Sequence, residues 1–268
     1  MRVVGIMVVV VIWEIVSRAM AHPAFTPPSI VVPALVRMMG DVSFYRHIAS
    51  TMMIVWIGLT IAISAGVVLA IVIHLFAPVR WMLMPVVDSI RPVAALTLFP
   101  VLIILLGLGV SSKAFVIFWT SWPAVLLNSL HGLDNVDRDV IEAGQLDGAN
   151  KFQLLYHISF PLAIPMILTG VRIGVSGGFI SLVAAEMLGS STGLGYAILS
   201  YSQTFQFAEM YAVIIVIALL GLGMNLGVVV LQNQNDKEGE SYVSPFIRFG
   251  HRAASYSLDA DSFTSKGH

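Results

Sequence analysis

Apolar runs alternate with short polar segments along the whole chain, and six of these runs are long enough to cross a membrane. At about 1.5 Å of rise per residue, a helix needs roughly 20 apolar residues to cross a hydrocarbon core about 30 Å thick. The pattern therefore predicts an all-α, polytopic membrane protein with about six transmembrane helices. The predicted spans are 3–20, 47–76, 92–109, 114–130, 162–188 and 210–231.

The segments between the spans predict the connections and the limits of the membrane domain, residues 1–232. A short interfacial helix is expected over 29–39, an amphipathic connection over 77–91 and a tight turn over 110–113. A loop rich in glycine, serine and tyrosine is expected over 189–209. The remaining residues, 233–268, form a polar cytoplasmic tail whose composition favours disorder over an appendage with its own role.

Composition and charge narrow the class of protein. The chain is 57% hydrophobic and 11% charged, whereas soluble domains carry about 25% charged residues. It has no cysteine, which excludes disulfides, thiolate metal sites and a cysteine nucleophile. The net charge of −1 argues against a nucleic-acid partner. Lysine and arginine near the spans are slightly more frequent on the side that holds both termini, which predicts cytoplasmic termini.

The polar segment between predicted spans four and five, residues 134–161, has a helix–turn–helix pattern. Asp137 is a suitable N-cap for a helix over 138–146. Gly148 allows a sharp turn with positive φ, and Asn150 can cap a second helix.

The second helix of this segment is expected to end at Pro161 and Pro165, where the fifth span begins. Small residues at the bend let another surface come close, and Glu142 offers that surface a charge. From physical reasoning alone, a docking site and an ordinary cytoplasmic loop are equally good interpretations.

The residues of this segment also resemble the EAA loop of binding-protein-dependent ABC importer permeases. The family pattern is E-A-A, three residues, G, nine residues and I-x-L-P. Here Glu142, Ala143 and Gly144 begin the pattern, and Gly148 and Ile158 fall at the family's spacings. The departures are a glycine for the second alanine and a phenylalanine for the leucine.

The resemblance covers most of residues 13–231. It is carried further by Arg91-Pro92 and by 106–109, 168–173, 182–189 and 193–196. These segments are most similar to the subfamily that imports taurine and other sulfonates, nitrate or bicarbonate. Relatives in that group carry aromatic acids or thiamine precursors.

The resemblance implies a type I importer permease fold and the transmembrane subunit of an ATP-driven importer in the bacterial inner membrane. It also implies a second copy of the permease, an ABC ATPase dimer that binds ATP and Mg, and an extracytoplasmic substrate-binding protein. The chain is expected to be non-catalytic and to hold no cofactor or metal, and it lacks a G-x-x-x-x-G-K-[ST] phosphate loop. The residues expected to couple it to the ATPase are Glu142, Ala143, Gly144, Gly148, Ala149 and Lys151.

The fifth predicted span carries two charges, and a charge at the bilayer centre costs roughly 2.5–3.5 kcal/mol. We expect a contribution to the substrate pathway from Arg172, Gly174, Gly178 and Glu186, with Arg172 helping an anion to pass. The alternatives are that Arg172 pairs with a neighbouring helix or carbonyl, that the glycines pack within the chain, and that Glu186 anchors the loop that follows.

The loop after this span is expected to form an outer gate or to contact the binding protein. Its candidate residues are Gly193, Gly195 and Tyr196. A stand-alone secondary carrier or channel is the alternative to an importer subunit, but it leaves the pattern at 142–165 unexplained. An intramembrane enzyme is disfavoured, because the chain has no H-E-x-x-H sequence.

Overall fold

The computed structural model describes residues 2–20, 22 and 24–234, and this part of the chain is helical and contains no strand. The predicted all-α class is confirmed, and the predicted tail lies outside the described residues from position 235 onward. The helices are α1 (Arg2–Met20), α2 (Pro28–Met38), α3 (Val42–Leu75), α4 (Ala77–Ile90), α5 (Ala95–Leu106), α6 (Val110–Asp134), α7 (Arg138–Leu146), α8 (Lys151–Leu154), α9 (Phe160–Gly189), α10 (Leu194–Gln203) and α11 (Phe207–Gln234).

Helices α3, α6 and α9 form the core, with α6 in contact with both of the others. Ile54 of α3, Ile117 of α6 and Leu182 of α9 belong to one buried apolar cluster. Small residues allow the close approach of the helices. A Cβ atom placed on Gly58 of α3 would lie only 2.7 Å from the Ile117 Cβ. This three-helix core sets the distance between the segment that follows α6 and the segment that follows α9.

Four helices in the described part of the chain are long and apolar enough to cross a membrane: α3, α6, the continuous helix Lys151–Gly189, and α11. A fifth span exists only if α4 and α5, which are bent by 97° relative to each other, count as one broken span. The first predicted span corresponds to α1, and its crossing of the membrane stays a prediction.

The prediction of one span over 92–109, kinked at Pro100, is wrong. Helix α5 has 12 residues, which is about 18 Å and too short for a 30 Å core. Pro92 lacks an N–H donor, so α4 ends before it. Arg91 keeps a helical conformation, and the chain becomes extended at Ala94 before α5 begins at Ala95 in a new direction. By contrast, Pro100 lies inside α5 and does not end it.

Three predicted boundaries are also wrong. Residues 110–113 are the first turn of α6 and not a connecting turn, which lies instead at 107–109. Part of the predicted loop 189–209 forms α10. Pro161 and Pro165 do not end the helix before them, because a π-helical turn at Leu155–Ser159 joins α8 to α9, and Pro165 is an interior residue of α9.

Candidate functional site

The predicted helix–turn–helix, which we call the coupling segment (residues 134–161), is present. Asp137 caps α7, since its side chain accepts a hydrogen bond from the Asp139 backbone N–H at 3.1 Å. The Asp139 carboxylate lies in the first turn, where the helix dipole favours a negative charge. No residue of α7 is fully buried. The helix is therefore kept in place by its two caps and by the contacts of one face with the helix that follows.

The bend between α7 and α8 is fixed by backbone hydrogen bonds. The Gly148 N–H donates to the Gln145 carbonyl at 3.0 Å, and the Ala149 N–H donates to the Gly144 carbonyl at 3.1 Å. This pair of bonds is a Schellman motif, which requires a left-handed residue after the helix. Gly148 supplies it with a φ of 83°.

The second helix begins with a reciprocal cap. The Asn150 side chain accepts from the Gln153 N–H at 2.9 Å, and the Gln153 side chain accepts from the Asn150 N–H at 2.8 Å. The two caps and the glycine turn together make the segment a defined surface feature.

One face of the segment packs on the protein and the other faces out. A Cβ atom on Gly144 would lie 2.7 Å from Leu154 Cδ2 and 2.8 Å from Ile158 Cδ1, so the glycine lets α7 rest on the helix that follows. Glu142 and Ala143 are exposed, as are Gly148 and Lys151, and Ala149 is half-buried.

Large apolar side chains are unusually exposed on the outer face of this polar segment. Leu146 is 90% exposed, Tyr156 is 73% exposed and Phe152 is 67% exposed. The Glu142 carboxylate on the same segment makes no hydrogen bond or ion pair within the described residues. An unpaired acid beside uncovered apolar side chains is the composition of a protein-docking surface.

The coupling segment is tied to the core through Asp134 at the end of α6. Its carboxylate accepts from Arg80 Nη1 of α4 at 2.8 Å and lies 2.9 Å from His74 Nδ1 of α3. These contacts join three helices at the base of the segment. Sequence reasoning missed them, because Asp134 is separated from its partners by at least 54 positions and the three residues share no motif.

We expect Gly144→Ala and Gly148→Ala to have opposite effects on the bend. A methyl group at 144 meets only the ends of flexible side chains and removes a helix glycine, which costs about 0.5–1 kcal/mol relative to alanine. A methyl group at 148 has open space but must hold a positive φ, which costs about 1–2 kcal/mol. Amide hydrogen exchange over 145–150 should therefore be roughly 5–30 times faster in Gly148→Ala and no faster in Gly144→Ala. Equal exchange rates in the two variants would contradict this account of the turn.

At the opposite end of α9, Glu186 is fully buried and holds the chain that follows it. Its carboxylate accepts hydrogen bonds from Thr51 Oγ1 of α3 at 2.9 Å and from the Gly195 N–H at 2.9 Å. Thr51 Oγ1 in turn accepts from the Leu194 N–H at 2.9 Å. The N-terminus of α10 is therefore fastened to both α3 and α9.

The two glycines of this turn are required by the closeness of the contacts. Gly193 has a φ of 113°, and a Cβ atom there would overlap the Glu186 carboxylate. A Cβ atom on Gly195 would overlap the Val183 carbonyl oxygen. The Gly193 N–H also donates to His47 Nδ1 at 3.1 Å, and the His47 ring lies 5.9 Å from the Tyr196 ring. The predicted gate residues thus lie together around Glu186, and their role as a gate stays a prediction.

The remaining predicted pathway residues do not meet Glu186. Arg172 is exposed, and its Nε donates to Asn225 Oδ1 of α11 at 2.8 Å. Gly174 and Gly178 face α6, where Ser121 Oγ donates to the Gly174 carbonyl at 2.8 Å. These contacts fit the alternative of packing within the chain, so a pathway role for the two glycines stays a prediction. Among the described residues, no cluster of histidine and acidic side chains could hold a metal ion.

Comparisons with known proteins agree with this geometry. The family described as "Binding-protein-dependent transport system inner membrane component" matches residues 58–238. The chain is 31% identical over 228 residues to the taurine transport system permease protein TauC of Escherichia coli (strain K12), covering 83% of each chain. It is 28% identical over 227 residues to the formylaminopyrimidine transport permease protein ThiX of Halalkalibacterium halodurans, covering 85% of this chain and 91% of the relative.

The fold is also similar to a solved one. The match to "Inward facing conformations of the MetNI methionine ABC transporter" has a TM-score of 0.63 at 14% identity and covers 71% of this chain and 95% of that chain. The predicted ABC importer permease fold is therefore confirmed. The family match covers more than half of the chain and includes the whole coupling segment. The chain belongs to the family of inner-membrane components of binding-protein-dependent transport systems, the permease subunits of ABC importers.

Proposed function

We propose that this permease forms the translocation pathway for a small organic sulfonate such as taurine. The identity of 31% over 228 residues to a taurine permease supports this choice of substrate. Relatives named for aliphatic sulfonates and for formylaminopyrimidine are also similar to the chain. Nitrate, bicarbonate and aromatic acids are alternatives that rest on the resemblance of the sequence alone.

The single observation that carries the coupling part of the proposal is the outer face of the coupling segment. This face would enter a groove on a separate ABC ATPase, which binds ATP and Mg²⁺ and hydrolyses ATP. The exposed Leu146 and Phe152 would provide apolar contact area, and the unpaired Glu142 would meet a cation of the ATPase.

Movement of the coupling segment would reach the membrane through rigid elements. Its second helix continues without interruption into α9, as one helix from Lys151 to Gly189. Asp134, at the start of the coupling segment, holds the segment to α3 and α4. Since α6 and α9 are locked by their glycine contacts, a push at the segment would tilt the core as a unit, as in other rigid-body transitions.

The remaining partners follow from the same assignment. Two copies of the permease would face each other across the pathway, and an extracytoplasmic binding protein would deliver the solute at the end that holds Glu186. Both termini would lie in the cytoplasm, on the same side as the ATPase. Nucleic acid has no part in this assembly.

The test is purification of the permease together with its ATPase and binding protein in mild detergent, followed by reconstitution into vesicles. We expect the ATPase to copurify, and we expect taurine-loaded binding protein to stimulate ATP hydrolysis and taurine uptake. Uptake by the permease alone, driven by an ion gradient, would instead support the stand-alone carrier. An ATP-driven complex that ignores taurine would retain the importer and overturn the substrate.

A further inference from the structure

A cavity of about 380 Å³ lies at the bend between α4 and α5, where these helices face the middle of α6 and Ser181 of α9. Cavities that bind small ligands in proteins span about 300–1,000 Å³. Its polar lining residues are Arg91, Trp119, Thr120 and Ser181. Arg91 is the only charged residue among those that line it.

Two contacts of α4 show how deep in the membrane this cavity lies. Near its start, Arg80 bonds to Asp134 at the end of α6. At its other end, Ile90 and Arg91 line the cavity together with four residues of α6, Trp119, Thr120, Pro123 and Ala124. Ten or more residues of α6 separate the two levels, which is at least about 15 Å along the helix. The bend therefore lies near the middle of a 30 Å hydrocarbon core, where a charged side chain must face water or protein.

The break between the helices is stabilised by the cavity's own residues. Trp119 Nε1 donates to the Val93 carbonyl at 3.1 Å, which satisfies a backbone group that the interrupted helix leaves unpaired. A broken helix with a cavity at mid-depth is the arrangement in which transporters place solute sites.

The free donors of this cavity suit an anion. The nearest acid to Arg91 is Asp88, whose Oδ1 lies 3.8 Å from Nη1, too far for a hydrogen bond. Thr120 Oγ1 lies 3.0 Å from the Val116 carbonyl and 3.1 Å from Ser181 Oγ. When the Thr120 hydroxyl donates to Ser181 Oγ, the Ser181 hydroxyl accepts and keeps its own proton, which it can donate to a solute.

We infer that this cavity is a transport site for the anionic group of the solute, with Arg91 as its positive charge and Ser181 as a hydrogen-bond donor. The inference rests on the proposed function for the identity of the solute as a sulfonate. A guanidinium binds an anionic oxygen group through two parallel hydrogen bonds. The sequence candidate Arg172 is less suited, because its Nε already donates to Asn225 beside a groove of about 320 Å³ whose lining is almost entirely apolar.

The absence of cysteine from the chain allows a direct test. Ser181→Cys introduces a single thiol into the cavity, and Ala124→Cys places one on another wall as a second variant. Each is assembled with the ATPase and binding protein in vesicles of phosphatidylethanolamine and phosphatidylglycerol. The thiol is then modified with a sulfonate-bearing or a quaternary-ammonium methanethiosulfonate, which forms a mixed disulfide and releases methanesulfinate. The rates are measured by mass spectrometry of this chain.

The rate of thiol modification by the anionic reagent, divided by the rate for the cationic reagent, reports the charge in the cavity. We expect Arg91→Gln to lower this ratio roughly tenfold, because a half-exposed charge acts through partly screened electrostatics. Arg172→Gln, which removes a cation near the middle of α9, is the matched control and should leave the ratio unchanged. A ratio that is insensitive to Arg91→Gln, or that changes equally with Arg172→Gln, would overturn the inference.

Taurine connects the cavity to transport. We expect taurine to slow modification of the Ser181→Cys thiol. We also expect Arg91→Gln to raise the KM for taurine uptake about tenfold, with a smaller effect on kcat. Asp88→Asn should leave KM unchanged or lower it, since it removes a competing acid. A rise in KM with Asp88→Asn as large as that with Arg91→Gln would assign the effect to their ion pair and overturn the inference. If taurine neither protects the thiol nor is imported while the reagent ratio depends on Arg91, the anion site stands and only the assigned substrate falls.

Discussion

Glu142→Arg is expected to abolish solute-stimulated ATP hydrolysis in the assembled complex without unfolding the permease. The side chain is exposed and has no partner in the described residues, so its replacement removes nothing from the fold. At a docked interface, loss of one member of a close charge pair costs about 2–5 kcal/mol, and reversal adds repulsion. The affinity of the permease for the ATPase should therefore fall at least about thirtyfold. Copurification and stimulated hydrolysis measure this directly.

Two further variants separate a specific contact from a general charge effect. Glu142→Gln should weaken docking less than the reversal, because it removes the charge pair without adding repulsion. Asp147→Arg makes the same change of charge at the exposed C-cap of α7, where a cation suits the helix dipole. This control should retain docking. Normal coupling in Glu142→Arg, or equal loss in Asp147→Arg, would remove Glu142 from the interface.

The coupling segment could be predicted closely because its determinants are local. The cap at Asp137, the turn at Gly148 and the capping box from Asn150 to Gln153 each act over six residues or fewer. Such short-range hydrogen bonds depend on residue type and spacing, which a sequence displays directly. The role of Gly144 is harder to see in the sequence. A glycine there suggests a weaker α7, and only the positions of Leu154 and Ile158 show that it permits close packing.

The broken span could not be predicted from hydropathy. Residues 92–109 are apolar enough to read as one helix, and Pro92 marks a place where a helix can stop. The direction in which the chain restarts depends on packing, since Phe99 and Leu102 of α5 bury themselves against Val116 of α6. Hydropathy describes each segment alone, whereas the bend is set by contact between segments.

The charged residues show the same limit. Arg172 and Glu186 both stand out as unusual inside a span, and their spacing places them on similar faces of one helix. Their environments nevertheless differ completely, because Glu186 meets Thr51 from a helix 135 positions away and Arg172 meets Asn225 on an exposed surface. The identity of a charged residue can be read from sequence, but the side chain that it meets is a property of the tertiary fold.

Gly195→Ala is expected to destabilise the permease more than Gly144→Ala or Gly148→Ala. The added Cβ would overlap the Val183 carbonyl oxygen, which belongs to the backbone of α9 and cannot rotate away. It would also approach the Glu186 Cβ at 2.8 Å, so α10 must move off the core. That movement breaks the hydrogen bond from the Gly195 N–H to Glu186 and leaves a buried carboxylate with fewer donors. Overpacking typically costs about 1–3 kcal/mol, and the lost bond to a charged group adds about 1.5–3 kcal/mol.

Thermal unfolding of the purified permease in detergent measures this effect, and we expect Tm to fall by roughly 5–10 °C. Gly223→Ala is the matched control, because it adds the same methyl group to a helix where no atom lies within 4 Å of the new Cβ. Its Tm should stay the same or rise, since alanine is favoured over glycine in a helix interior by about 0.5–1 kcal/mol. Glu186→Gln keeps the volume of the side chain and removes its charge. If Tm falls less for Glu186→Gln than for Gly195→Ala, glycine is necessary at this turn mainly because of steric overlap. The charge of Glu186 is then the smaller contribution. A wild-type Tm for Gly195→Ala would mean that α10 is not held against α9 in the way described.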